Sequence, residues 1–188
     1  MKPPAAVAYI APFAVFIALR WLPFPPELLA PVRVVLVAGA VAVFSRGAIP
    51  RRLRFPAGSV ALGAARSSLA AHLKSNAFFM ATRVLESAIL VPVIEELFWR
   101  GWLMRWVIRA DFESVPMGQY TALSFWSVAV LFASEHGPYW DVGLITGVIY
   151  NWWMLRTRNL WDCILMHAVT NGALAAYVVV GGHWQYWL

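Results

Sequence analysis

Three short polar clusters interrupt otherwise apolar stretches of this 188-residue chain, each with a spacing that chemistry could use. The first is Glu95-Glu96-Leu97-Phe98-Trp99-Arg100. Successive residues of an α-helix are rotated by about 100°, so the two carboxylates cannot share one direction. Glu96 and Arg100 stand four residues apart with the acid N-terminal, the better orientation for an ion pair. Glu95 is left without a local basic partner, and a carboxylate so placed suits a general base. The alternative is an interfacial acid pair anchored by arginines. The second cluster, Phe132-Ala133-Ser134-Glu135-His136, puts Phe132 and His136 on one helical face at the end of an apolar segment, with Glu135 turned toward the interface. A lone histidine there often does no more than bond a backbone carbonyl. The third is His167-Ala168-Val169-Thr170-Asn171. His167 and Asn171 can project together into one cavity. A donor of adjustable charge beside a neutral donor suits an oxyanion developing on a carbonyl oxygen. An interhelical hydrogen bond is the plainer use of that pair.

The elements that would position these clusters are membrane helices. Hydrophobic residues make up 61% of the chain and charged residues 13%, with a mean hydropathy of +0.65. A soluble domain carries ~45–50% apolar and ~25% charged residues. Eleven tryptophans, many near the ends of apolar runs, fit the membrane–water interface. Six segments predict spans: Ala5–Leu22, Leu28–Phe44, Phe78–Ile108, Tyr120–His136, Trp140–Leu155 and Leu160–Val180. The third is too long for a simple crossing, and Pro92 is expected to kink it. A seventh segment, Ala57–Leu73, is weakened by Arg66, Gly63 and two serines. Counting it as a span with the N-terminus inside collects Lys2, Arg46, Arg51, Arg52, Arg54, Arg105, Arg109, Arg156 and Arg158 on the inner side. Only Arg20, Arg33 and Lys74 then fall outside, which is the positive-inside pattern and favours seven helices. Asn159 and Asp162 mark the start of the last helix and place His167 about two turns inside it.

These readings define one all-α, polytopic membrane domain over residues 1–188, with a polar cavity among its later helices. Residues 1–77 form helices without motifs, and 78–181 the motif-bearing helices. The net charge of +6 sits mostly in short loops, so the bilayer rather than nucleic acid is the expected partner. The lone Cys163 allows no disulfide within one chain. Arg83 and Glu86 can neutralise each other, and His72, His183, Asp111 and Glu113 earn no role in chemistry.

In this order, the three clusters resemble the motifs of the CAAX-protease and bacteriocin-processing family of membrane endopeptidases, related to the type II CAAX prenyl endopeptidases. The family pattern is Glu-Glu-x-x-x-Arg, then Phe-x-x-x-His, then His-x-x-x-Asn or His-x-x-x-Asp. Here it reads Glu95-Glu96…Arg100, Phe132…His136 and His167…Asn171, and Tyr150…Trp161 resembles the usual lead-in to the last histidine. The resemblance covers roughly Leu85 to Gly172. The phrase Asp111-Phe112-Glu113-Ser114-Val115-Pro116, with the Trp-rich tail, looks like a bacterial subgroup found beside exosortase sorting systems. The resemblance implies a multi-pass protease of the bacterial inner membrane acting on a peptide or protein substrate. In it Glu95 and His136 would activate water, and His167 and Asn171 would stabilise the oxyanion. Glu96, Arg100 and Phe132 would support them. Such enzymes have been described as metalloproteases, and zinc could take Glu95, His136 and His167 as ligands; a carboxylate-activated water needs no metal and is the favoured expectation. A non-catalytic immunity or scaffold protein on the same fold is an alternative. So is a transporter, because intramembrane acids and histidines also line ion paths.

Overall fold

The structure is a computed structural model, and it describes residues 4–45, 47–48 and 69–187. Among them the order is α1 Val7–Arg20, α2 Pro26–Ser45, α3 Ala71–Lys74, α4 Ala77–Trp106, α5 Ala122–Ser134, α6 Trp140–Thr157 and α7 Leu160–Gly181. The described residues contain no strand, so the chain is an all-α helical bundle. The expected span Ala57–Leu73 lies largely outside the described residues. Its described end runs into the single turn of α3.

Local chemistry sets the helix limits. Asn76 accepts from Phe79 N–H at 3.0 Å to start α4, and Thr121 accepts from Ser124 N–H at 3.2 Å to start α5. Asn159 begins α7 as its sequence position predicts: its side-chain oxygen accepts from Trp161 N–H at 3.1 Å, while its amide donates to Asp162 at 3.0 Å. Gly182, at φ +69°, ends α7 in the left-handed conformation that glycine adopts without steric cost. Proline shapes the chain twice. Pro26 opens α2 at its first position, where a missing N–H costs nothing. Pro92 lies within α4, where its missing N–H and bulky ring disturb the preceding turn. The helix widens into π-turns at Glu86–Leu90 and again at Leu97–Leu103, on either side of the α-helical Val91–Glu96. Such widened turns are frequent at functional sites.

Among the described residues, three helices are long and apolar enough to cross a membrane: Pro26–Ser45, Ala77–Trp106 and Leu160–Gly181. Val7–Arg20 and Ala122–Ser134 are apolar but only 14 and 13 residues long. At 1.5 Å per residue they reach about 20 Å, short of a bilayer core of ~30 Å. The span expected at Tyr120–His136 is therefore corrected. Its helix stops at Ser134, and His136 stands beyond it at the start of the turn Gly137–Tyr139. The glycine and proline that follow His136 are the reason.

The bundle's outer surface is lipid-like. Val35, Val43, Phe78, Leu123 and Val169 are all more than half exposed. An apolar surface on that scale is costly in water and ordinary in hydrocarbon. The interior is packed from Phe13 and Phe16 of α1, Ile94, Leu97 and Trp99 of α4, Phe125, Val128 and Phe132 of α5, and Tyr150 and Met154 of α6. The short connection after α5 makes it an antiparallel hairpin with α6, and small residues let the two helices approach. A Cβ at Gly147 would lie 3.1 Å from Phe132 and 3.2 Å from the Ala129 carbonyl. Hydroxyl groups tie helix to helix elsewhere: Ser45 donates to the Ala8 carbonyl and Ser124 to the Met104 carbonyl.

Candidate active site

The middle of α4 presents its two glutamates to different surroundings, as the helical rotation requires. Glu96 is fully buried, and one of its oxygens accepts from Arg100 Nη1 at 2.9 Å and also contacts His167 Nδ1 at 2.9 Å. Arg100 is equally buried. Its remaining donors reach α6, with Nε on Asn151 Oδ1 at 2.9 Å and Nη2 on the Gly147 carbonyl at 3.2 Å. Asn151 in turn donates to the Phe125 carbonyl at 2.7 Å. The guanidinium also lies 4.7 Å from the Phe132 ring centroid and 5.4 Å from that of Tyr150. A buried cation needs this density of partners, because an unpaired one would cost several kcal/mol. The expected Glu96–Arg100 pair is therefore formed. It also anchors His167, a link over 71 residues that no local spacing could reveal.

Glu95 makes no ion pair or hydrogen bond among the described residues. It lines a cavity of about 590 Å³ together with Arg20, Arg83, Glu135 and His136, with Tyr186 and Trp187 of the C-terminal tail also on its wall. A neighbouring cavity of about 320 Å³ is lined by His136, His167, Asn171, Phe132, Tyr150 and Thr170, with Val142 and Leu174 among its apolar walls. The expected residues are thus divided between two hollows, and His136 belongs to both.

His136 does bond a backbone carbonyl, as the plainer sequence reading allows: Nδ1 lies 2.8 Å from the Phe132 oxygen. A carbonyl only accepts, so Nδ1 carries the proton and the Nε2 lone pair remains available. Although His136 has left the helix, its ring stays 4.7 Å from that of Phe132. Asn171 likewise makes an interhelical bond, donating to the Ser87 carbonyl at 2.8 Å and leaving a second amide hydrogen.

Two residues near the site take places that local spacing does not show, Glu135 on a cavity wall and Gly143 against His136. Glu135, assigned to the interface, faces the same cavity as Glu95. Gly143 leaves room for the His136 ring, since a Cβ there would fall 2.8 Å from the ring Cγ and 2.9 Å from Nδ1. Gly143→Ala is expected to push the ring off the Phe132 carbonyl and lower turnover by about 10²-fold, a usual loss for an ångström-scale misplacement. Cleavage assayed beside the monodispersity of the purified variant checks this. An unfolded variant would assign the glycine to helix packing instead.

Residues 76–173 match the family model described as type II CAAX prenyl endopeptidase Rce1-like. The chain belongs to that family. As an Rce1-like protein it is an intramembrane protease of the CAAX type and a membrane protein. No curated protein and no solved structure matches the chain. The Rce1-like region begins at the cap of α4 and ends just past Asn171, so it holds all three motifs and leaves out α1 and α2.

The zinc set considered from the sequence does not assemble. Among the described residues no three His, Cys, Asp or Glu side chains come together in a way that could hold a metal ion. Glu95 faces one cavity and His167 the other. The two histidines are each oriented through Nδ1, as metal-binding histidines often are, but among the described residues no third His, Cys, Asp or Glu joins them.

Proposed function

We propose that this Rce1-like protease hydrolyses a peptide bond held beside His136, with Glu95 as general base and His167 and Asn171 as oxyanion donors. The observation that carries this reading is the shared wall: His136 lines both the cavity of Glu95 and the cavity of His167 and Asn171. A water hydrogen-bonded to the His136 Nε2 lone pair would give its other proton to the Glu95 carboxylate as its oxygen attacks the carbonyl carbon. The carbonyl π electrons move onto oxygen, where the spare Asn171 amide hydrogen and a proton on His167 Nε2 would meet the charge. Glu96, which accepts from Nδ1 while its charge is paired with Arg100, holds that ring in place, much as a carboxylate orients a catalytic histidine in serine proteases. Collapse of the intermediate breaks the C–N bond, and the proton held by Glu95 leaves with the amine. The Val142 and Leu174 walls suit an apolar residue of a membrane-associated or C-terminally sorted peptide.

The test is cleavage by purified protein after metal stripping. Most activity is expected to survive, with well under stoichiometric zinc by elemental analysis. Asn171→Ala should then cost ~10²–10³ in rate, the usual loss for one oxyanion donor. Stoichiometric zinc, with activity lost to chelator and restored by the metal, would overturn the reading and make His167 a ligand.

A further inference from the structure

The segment that follows α7 takes no part in the proposed chemistry, yet Tyr186 and Trp187 bring it to the wall of the Glu95 cavity. It lies beyond the Rce1-like region, which stops at residue 173. Both of its ends are fixed. At the near end Gly182 turns the chain at φ +69°, and the His183 N–H donates to the Val178 carbonyl at 3.1 Å. The His183 ring stacks on Tyr177 with centroids 4.0 Å apart. At the far end Trp187 is buried in a cluster with Phe79 and Met80 of α4 and Val178 of α7. Between them Trp184–Tyr186 forms a single 3-10 turn. A strap held at both ends presents its backbone groups at a set place, which a loose lid would not do.

Tyr139 uses one of those groups. Its hydroxyl donates to the Gln185 carbonyl at 2.8 Å, a contact across 46 residues. Tyr139 completes the turn Gly137–Tyr139 that joins His136 to α6, and its N–H donates back to the His136 carbonyl at 3.0 Å. The helical bonds of α5 end near Ser134, so this turn sets where the chain carries His136. It also sets how the first turn of α6 brings Gly143 against the His136 ring. The strap reaches the second cavity too. The Tyr186 ring stands 6.0 Å from that of Tyr139 and 6.0 Å from that of Tyr177, which lines the hollow of His167 and Asn171. The strap thus meets the walls of both cavities, and His136 is the motif residue they share.

We propose that Tyr139 is a positioning residue: its bond to the strap fixes the turn behind His136 and so holds that ring where the two cavities meet. The proposal rests on His136 orienting the attacking water, and it adds to the site a segment from beyond the family region.

Tyr139→Phe is the test, since it keeps the ring and removes the donor. Hydrogen exchange of the full chain in detergent reads the strap without any cleavage assay. The Tyr186 and Trp187 amides are bonded within the strap, to the His183 and Trp184 carbonyls, so their exchange reports its opening. Exchange there should quicken roughly fivefold, the effect of losing one hydrogen bond. In cleavage, kcat should fall about tenfold with KM within about twofold, because a misplaced catalytic group slows the reaction without weakening substrate binding. Tyr186→Ala, which removes the ring between Tyr139 and Tyr177, should act in the same direction on both readouts. Unchanged exchange in Tyr139→Phe would overturn the proposal. So would unchanged kcat beside quickened exchange, provided that His136→Ala is inactive. A fully active His136→Ala would overturn the reading of the site and this proposal together. Faster cleavage by Tyr139→Phe would make the strap an obstructing lid, and a raised KM at constant kcat would make it part of the substrate-binding wall; either result rejects the positioning role.

Discussion

Glu95→Gln should lower cleavage by about 10²–10⁴-fold, the range that a positioned general base contributes, while the protein still purifies as a folded species. The amide keeps the size of the side chain and removes its capacity to take a proton. Glu95 holds no ion pair or hydrogen bond among the described residues, so little structure depends on its charge. Single-turnover cleavage, read beside gel filtration in detergent, separates the two effects. Glu135→Gln is the necessary companion, because that carboxylate lines the same cavity. Full activity in the Glu95 variant with a large loss in the Glu135 variant would transfer the role.

The neighbouring glutamate should behave in the opposite way. Removing one member of a buried ion pair leaves the other uncompensated, at a typical cost of ~3–5 kcal/mol. Glu96 and Arg100 are both fully buried, so Glu96→Gln and Arg100→Leu should each sharply reduce the yield and thermal midpoint of folded protein. Replacing both together by apolar residues often costs little. The double variant Glu96→Leu, Arg100→Leu is therefore expected to regain folded yield. Its cleavage should remain low, because His167 has lost the acceptor that orients its ring. A double variant with restored activity would reduce Glu96 to a packing role.

The sequence carried what local spacing can carry. Hydropathy located six of the helices, Asn159 phased the last of them, and the four-residue interval from Glu96 to Arg100 gave the ion pair. The contacts that complete the site span 71 residues from Glu96 to His167, 51 from Arg100 to Asn151 and 84 from Ser87 to Asn171. They depend on which helices become neighbours, and no periodicity records that. The same limit hid the Arg33–Glu86 pair, 53 residues apart, although Arg83 was visible as a local partner. The π-turns were hidden for another reason. Each changes the rotation per residue within α4, so faces read with a uniform 3.6-residue period drift from Glu86 onward. A helical angle turns Glu135 away from Phe132 and His136, but the chain leaves the helix at Ser134 and that angle no longer applies.

The placement of the buried pair on one helix also bears on how the protein is made. A nascent segment carrying a lone arginine or glutamate enters the bilayer with difficulty, ~2.5–3.5 kcal/mol for a charge at the helix centre on insertion scales. Glu96 and Arg100 lie one turn apart on α4, so they can neutralise each other while that segment is still alone in the translocon. Asn151 and His167 reach the ribosome exit later, on α6 and α7, and have only to dock on a charge already balanced. Synthesis from the N-terminus thus supplies the polar cluster in the order in which the membrane can accept it.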